Sequence, residues 1–165
     1  MILQYTLLVA GIACLVAALV LVLRPRFVAA IPAFAGLWMT HASYFIKVSD
    51  TYLIFWGIAA MLVAGISYLS PKGEPDGRKS SNIYLGLGAV MGALLGMATD
   101  PRFMVLGVIL GAMSGQYIYS RTPHGQWLKP ATRDFWKYFA AKGLSVVVAI
   151  SIIAVAAEGF IKGYN

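Results

Sequence analysis

The sequence predicts an all-α integral membrane protein of six transmembrane helices, and three observations lead there. Hydrophobic residues fill 60% of the 165 positions and charged residues only 12%, outside the range of soluble globular domains. The apolar residues gather into six stretches separated by short polar gaps. The basic residues then fall unevenly across those gaps. If every stretch crosses a bilayer, one side holds Arg24, Arg26, Lys72, Arg78, Lys79, Arg121, Lys129, Arg133, Lys137 and Lys142. The other side holds Lys47, Arg102 and Lys162. Ten against three is the positive-inside bias, which places the first group in the cytoplasm and both termini outside. Removing one internal span would scramble this alternation.

Six spans of roughly 20 residues use about 120 positions, so residues 1–165 form a single membrane domain. The net charge of +7 lies mostly in short cytoplasmic loops, where it orients the chain and meets anionic headgroups rather than nucleic acid. The single cysteine, Cys14, permits no intrachain disulfide. The N-terminal apolar run has no basic residue before it and two after it, the reverse of a signal peptide.

The first span covers about residues 2–23 and ends at Arg24-Pro25-Arg26. The second, 27–46, carries Pro32, which removes a backbone donor and is expected to bend it. The third occupies 51–70. The Gly-, Pro- and Lys-rich segment 71–82 is a cytoplasmic loop between two halves of three spans, which therefore have opposite topology, as in inverted-repeat transporters. The fourth and fifth spans, 83–99 and 103–120, are short. Asp100 stands ready to cap the fifth helix ahead of Pro101. A cytoplasmic connection, 121–142, leads to the sixth span at 143–161.

Gly88, Gly92 and Gly96 recur every four residues in the fourth span, and Gly107, Gly111 and Gly115 do so in the fifth. Such spacing lays a smooth stripe along one helix face, where another backbone can approach closely. Six glycines in helices cost backbone entropy that only close packing offsets. The stripes are expected to form a tight hairpin of helices 4 and 5. The sharper alternative leaves one stripe free for a partner helix, from a second copy or another subunit.

The paired stripes GAVMGALLG and DPRFMVLGVILGAMSGQ, with IPAFAGLW upstream, resemble a bacterial multi-span membrane family of uncharacterised function defined by tandem glycine zippers. The likeness runs from about residue 25 to 161. Family members commonly carry Gly-Pro at the turn and Gly-Glu after the second stripe. Asp100-Pro101 and Gly115-Gln116 stand in those places here, which marks a divergent member. The resemblance implies a small bacterial inner-membrane protein and no established activity.

Ionisable groups within or beside spans are candidates for function. His41, Asp50, Asp100 and Glu158 all map to the outer side and form a candidate polar site if they converge. Glu158 lies four residues before Lys162, a spacing that suits an interfacial ion pair. On the cytoplasmic side, a helix from Thr132 is expected to lie along the inner leaflet as an interfacial amphipathic helix. Its Phe135, Trp136 and Phe139 would sit at headgroup depth, with Arg133 and Lys137 toward phosphates.

No catalytic constellation, metal-ligand spacing or phosphate-binding loop occurs in the sequence, so neither an enzyme nor a cofactor is expected. The expected partners are membrane lipids and other membrane subunits or a second copy, with no nucleic acid. The sequence favours an accessory or scaffold subunit that associates through glycine-lined faces. A small solute, ion or lipid transporter built from three-plus-three helices is the alternative.

Overall fold

The computed structural model describes residues 2–23, 28–45, 48–69, 82–100 and 103–163. The expected turn at Arg24-Pro25-Arg26, the bulk of the 71–82 loop, Lys47, Pro101-Arg102 and the Lys162 side chain lie outside them. The described residues are helical, joined by turns. The helices are α1 (Ile2–Val22), α2 (Ala30–Ala42), α3 (Asp50–Leu69), α4 (Asn82–Thr99), α5 (Met104–Ser120), α6 (Arg133–Tyr138) and α7 (Leu144–Gly163), with a π turn, Phe139–Gly143, between the last two.

Among the described residues, three helices are long and apolar enough to cross a membrane: Ile2–Val22, Asp50–Leu69 and the continuous Arg133–Ile161. At 17 residues, α5 reaches about 25 Å. The 13 residues of α2 reach only about 20 Å, well short of the expected 27–46 span. Both ends of α2 are fixed locally. Pro32 sits in the first turn, ahead of the first intrahelical bond from the Ala33 N–H to the Ala29 carbonyl. There its missing N–H has no helical partner to lose, so it starts the helix instead of bending it. At the other end Thr40 and Ser43 hydroxyls donate to carbonyls three or four residues back. Tyr44 then turns left-handed at φ 63°, which stops the helix.

The helix expected from Thr132 and the span expected at 143–161 are continuous. Helical backbone continues from Arg133 through the π turn to Gly163, because no glycine–proline punctuation interrupts it. Thr132 opens this long helix as its N-cap, with extended backbone and a hydroxyl accepting from the Phe135 N–H, one of the donors a first turn leaves unpaired.

α7 is the axis of the bundle. Residues Val146 to Ile152 are all buried, and α1 through α5 each touch this helix. A helix apolar on every side belongs at the centre of a bundle, and SVVVAISIIAVAA is that sequence. Around it stand the α1–α2 hairpin, α3 and the α4–α5 hairpin. Close approach in the first hairpin rests on Gly11 and Gly36: a Cβ on Gly36 would lie 2.9 Å from the Gly11 carbonyl oxygen.

Side-chain contacts fix the direction of each helix. Tyr5 and Phe45 rings meet at 5.3 Å, joining the start of α1 to the end of α2. Gly86 near the start of α4 faces Val22 at the end of α1. Ser67 at the end of α3 donates to the Ala141 carbonyl in the π turn at 2.9 Å. Successive helices therefore alternate in direction. One end of the bundle carries Arg121, Lys129, Arg133, Lys137 and Lys142, with Asp134 among them; His41, Asp50, Asp100 and Glu158 lie at the other.

Candidate functional site

The two glycine stripes face each other. Positions 84, 88, 92 and 96 of α4 oppose 115, 111, 107 and 103 of α5 in antiparallel register. A Cβ built on Gly88 would strike the Gly111 carbonyl, and one on Gly111 would strike that of Gly88. Gly92 and Gly107 block each other in the same way. A Cβ on Gly96 would lie 2.9 Å from the Phe103 carbonyl oxygen, and one on Gly115 would strike that of Tyr84. Carbonyl oxygens thus occupy the gap where side chains would stand, a geometry suited to Cα–H···O contacts. Within the chain the two stripes are packed against each other.

The connection after α5 folds back over the cationic end of the bundle. Gln116, fully buried, donates through Nε2 to the Phe135 carbonyl at 2.9 Å, while its Oε1 has no partner. The Tyr119 hydroxyl donates to the His124 carbonyl at 3.3 Å. Gly125 sits against the Tyr119 backbone, where a Cβ would not fit, and Leu128 is buried with Tyr119 and Phe135. Phe135 and Phe139 are therefore buried inside the protein instead of presented to lipid, Phe135 within this cluster. Arg133, Trp136 and Lys137 remain exposed. The signal for this arrangement was Gln116, the single long polar side chain of the fifth span, which sequence reasoning read only as a departure from a family pattern.

At the opposite end, the His41 Nε2 lies 3.6 Å from Asp50 Oδ1, beyond hydrogen-bond length. The structure brings these two of the four polar candidates together across the α2–α3 turn. Asp100 is half-buried just after α4, and its carbonyl accepts from the Phe103 N–H at 2.8 Å. The α-helical part of α5 starts after Phe103, which makes no side-chain cap; the expected first turn at Pro101-Arg102 lies outside the described residues. Glu158 is half-buried in the last part of α7.

One feature was not foreseen. A groove of about 850 Å³ runs along α3 from Asp50 to Leu69, walled on one side by Phe34 and Trp38 of α2. Its floor includes Gly57, where a Cβ would lie 2.9 Å from the Phe34 ring, and Gly65, where a Cβ would meet none of the described residues within 4 Å.

No family model, curated protein or solved structure matches this chain.

Proposed function

We propose that the chain is a small accessory or scaffold subunit of a bacterial inner-membrane assembly. In this reading all six helices cross the bilayer, α2, α4 and α5 in a locally thinned region. The cationic end faces the cytoplasm. The observation that carries the proposal is the mutual burial of the glycine stripes, together with a central helix apolar on all sides. The most specific feature of the sequence builds a rigid hairpin, not a polar chamber.

The glycines then support association one step removed. By closing the hairpin tightly they set a flat outer surface, on which Leu87, Met91 and Leu94 of α4 and Leu106 and Leu110 of α5 are all more than half exposed. Shape-matched packing on such a surface holds membrane helices together where hydrophobic driving force is lacking. A transporter would want a polar path through the bundle. The groove along α3 is apolar apart from Asp50 and opens on the flank, which favours the scaffold.

The test is affinity purification of the full chain from gently solubilised membranes, with its companions identified. A defined larger species, lost on Met91→Ser with Leu110→Ser while the melting curve is kept, supports the proposal. A lone monomer under the mildest extraction contradicts it.

A further inference from the structure

We propose that this chain is fitted to a thin bilayer and gathers short-chain phospholipid around itself. The inference rests on the membrane reading above and extends it from α2, α4 and α5 to the lipid-facing girdle as a whole. Tyrosine and tryptophan prefer the headgroup level, where an apolar ring and a polar tip are both satisfied. Exposed aromatic residues near helix ends therefore mark where hydrocarbon stops.

On α3, Tyr52 and Tyr68 are 60% and 77% exposed, and every exposed residue between them, from Ile54 to Ile66, is apolar. Sixteen residues separate the two tyrosines, a rise of about 24 Å. On α4 the same sixteen-residue step leads from Tyr84 at one end to Asp100 at the other, again about 24 Å. On α5 the exposed face runs from Phe103 to Tyr117, fourteen residues or about 21 Å. The exposed hydroxyl within that face, on Ser114, donates to the Leu110 carbonyl at 2.7 Å and so needs no water. The Tyr117 hydroxyl accepts from the Arg121 guanidinium at 2.5 Å, which sets this ring at the level of the cationic end.

Two arguments make these lengths upper limits. Tilt shortens the projection of a helix on the membrane normal. Helical side chains lean toward the N-terminus of their own helix, so both rings of the α3 pair are displaced in the same direction and their spacing is kept. A girdle of about 21–24 Å stands against about 30 Å for an ordinary hydrocarbon core. α1 carries apolar surface further, to Ile2, and a longer helix fits by tilting. The long last helix sets no limit, because protein surrounds it: Val146 to Ile152 are all buried. Lipid around a girdle about 6 Å too short must thin or give way to shorter chains, and shorter chains remove the strain.

The test uses the full chain in phosphatidylcholine bilayers whose monounsaturated acyl chains have fourteen, eighteen or twenty-two carbons. Nitroxide labels are placed singly at Tyr52→Cys, Met61→Cys and Tyr68→Cys in a Cys14→Ser background. Their depth is read from collisions with oxygen and with a water-soluble nickel chelate. In the fourteen-carbon bilayer, positions 52 and 68 are expected at headgroup depth and position 61 in hydrocarbon. Displacement of brominated lipid is read from the fluorescence of Trp38 and Trp136, both more than half exposed. It is expected to be about twofold more effective for fourteen-carbon than for twenty-two-carbon lipid. A label at 52 or 68 that stays in hydrocarbon in the thinnest bilayer overturns the proposal, as does equal displacement or a preference for the longest chain. A water-exposed label at position 61 overturns the membrane reading itself, so the two failures are distinct.

Discussion

The carbonyl oxygen of Gly111 fills the space that a side chain on Gly88 would need, and the carbonyl of Gly88 does the same to Gly111. Neither backbone can yield to a methyl group, because helical backbone moves only as a whole. The hairpin therefore has no tolerance at these positions, although alanine is the better helix former.

Gly92→Ala is expected to destabilise the bundle by about 1–3 kcal/mol, the usual cost of overpacking, after allowing for the gain in helix propensity. Gly65→Ala is the matched control, since nothing lies within 4 Å of its Cβ position. It is expected to stabilise by about 0.5–1 kcal/mol. Thermal unfolding of both variants in the same detergent checks the pair; equal effects would contradict the packing.

Gln116 holds α5 to the start of the long helix through the Phe135 carbonyl. Replacing it with Met keeps the length and removes this bond, while the Phe135 carbonyl still accepts from the Phe139 N–H, so the expected cost is that of one hydrogen bond, about 0.5–1.5 kcal/mol. Relief of the unpartnered Oε1 offsets part of this. Faster proteolysis within 121–132, with α4–α5 protection unchanged, is the expected readout. Uniform protection across the chain would deny Gln116 this role.

Pro32 stands in the first turn of α2, before the Ala33 N–H makes the first helical bond. Pro32→Ala is therefore expected to change stability by less than about 1 kcal/mol, unlike an interior proline, whose ring alone perturbs a helix by about 3 kcal/mol. A large gain in melting temperature would mean that the proline strains the helix.

Much of this architecture was legible because it depends on local periodicity. The facing of Gly92 and Gly107 follows from two stripes of four-residue spacing joined by a short turn. The central place of α7 is written in a run apolar on every side. What escaped the sequence depends on distant neighbours. Gly65 and Gly92 are the same residue in similar apolar helices, yet one borders open space and the other a carbonyl. Phe135 and Phe139 resemble headgroup anchors by pattern, and only the fold-back of Tyr119 and Leu128 buries Phe135. The short α2 was hidden because its end is set by hydroxyl-to-carbonyl bonds at Thr40 and Ser43, which hydropathy does not register. Of the four acidic and histidine candidates, only His41 and Asp50 are neighbours along a turn, and they are the pair that meets.

Sidedness separates a membrane-crossing bundle with alternating helices from any other arrangement. Single cysteines at Tyr44, Asp50, Arg121 and Lys129, all exposed, are placed in a Cys14→Ser background and treated with a membrane-impermeant maleimide. Positions 44 and 50 are expected to react in intact spheroplasts, and 121 and 129 only after lysis. Equal labelling of all four before lysis, or the reverse order, would contradict an inward-facing cationic end on a bundle that crosses the bilayer.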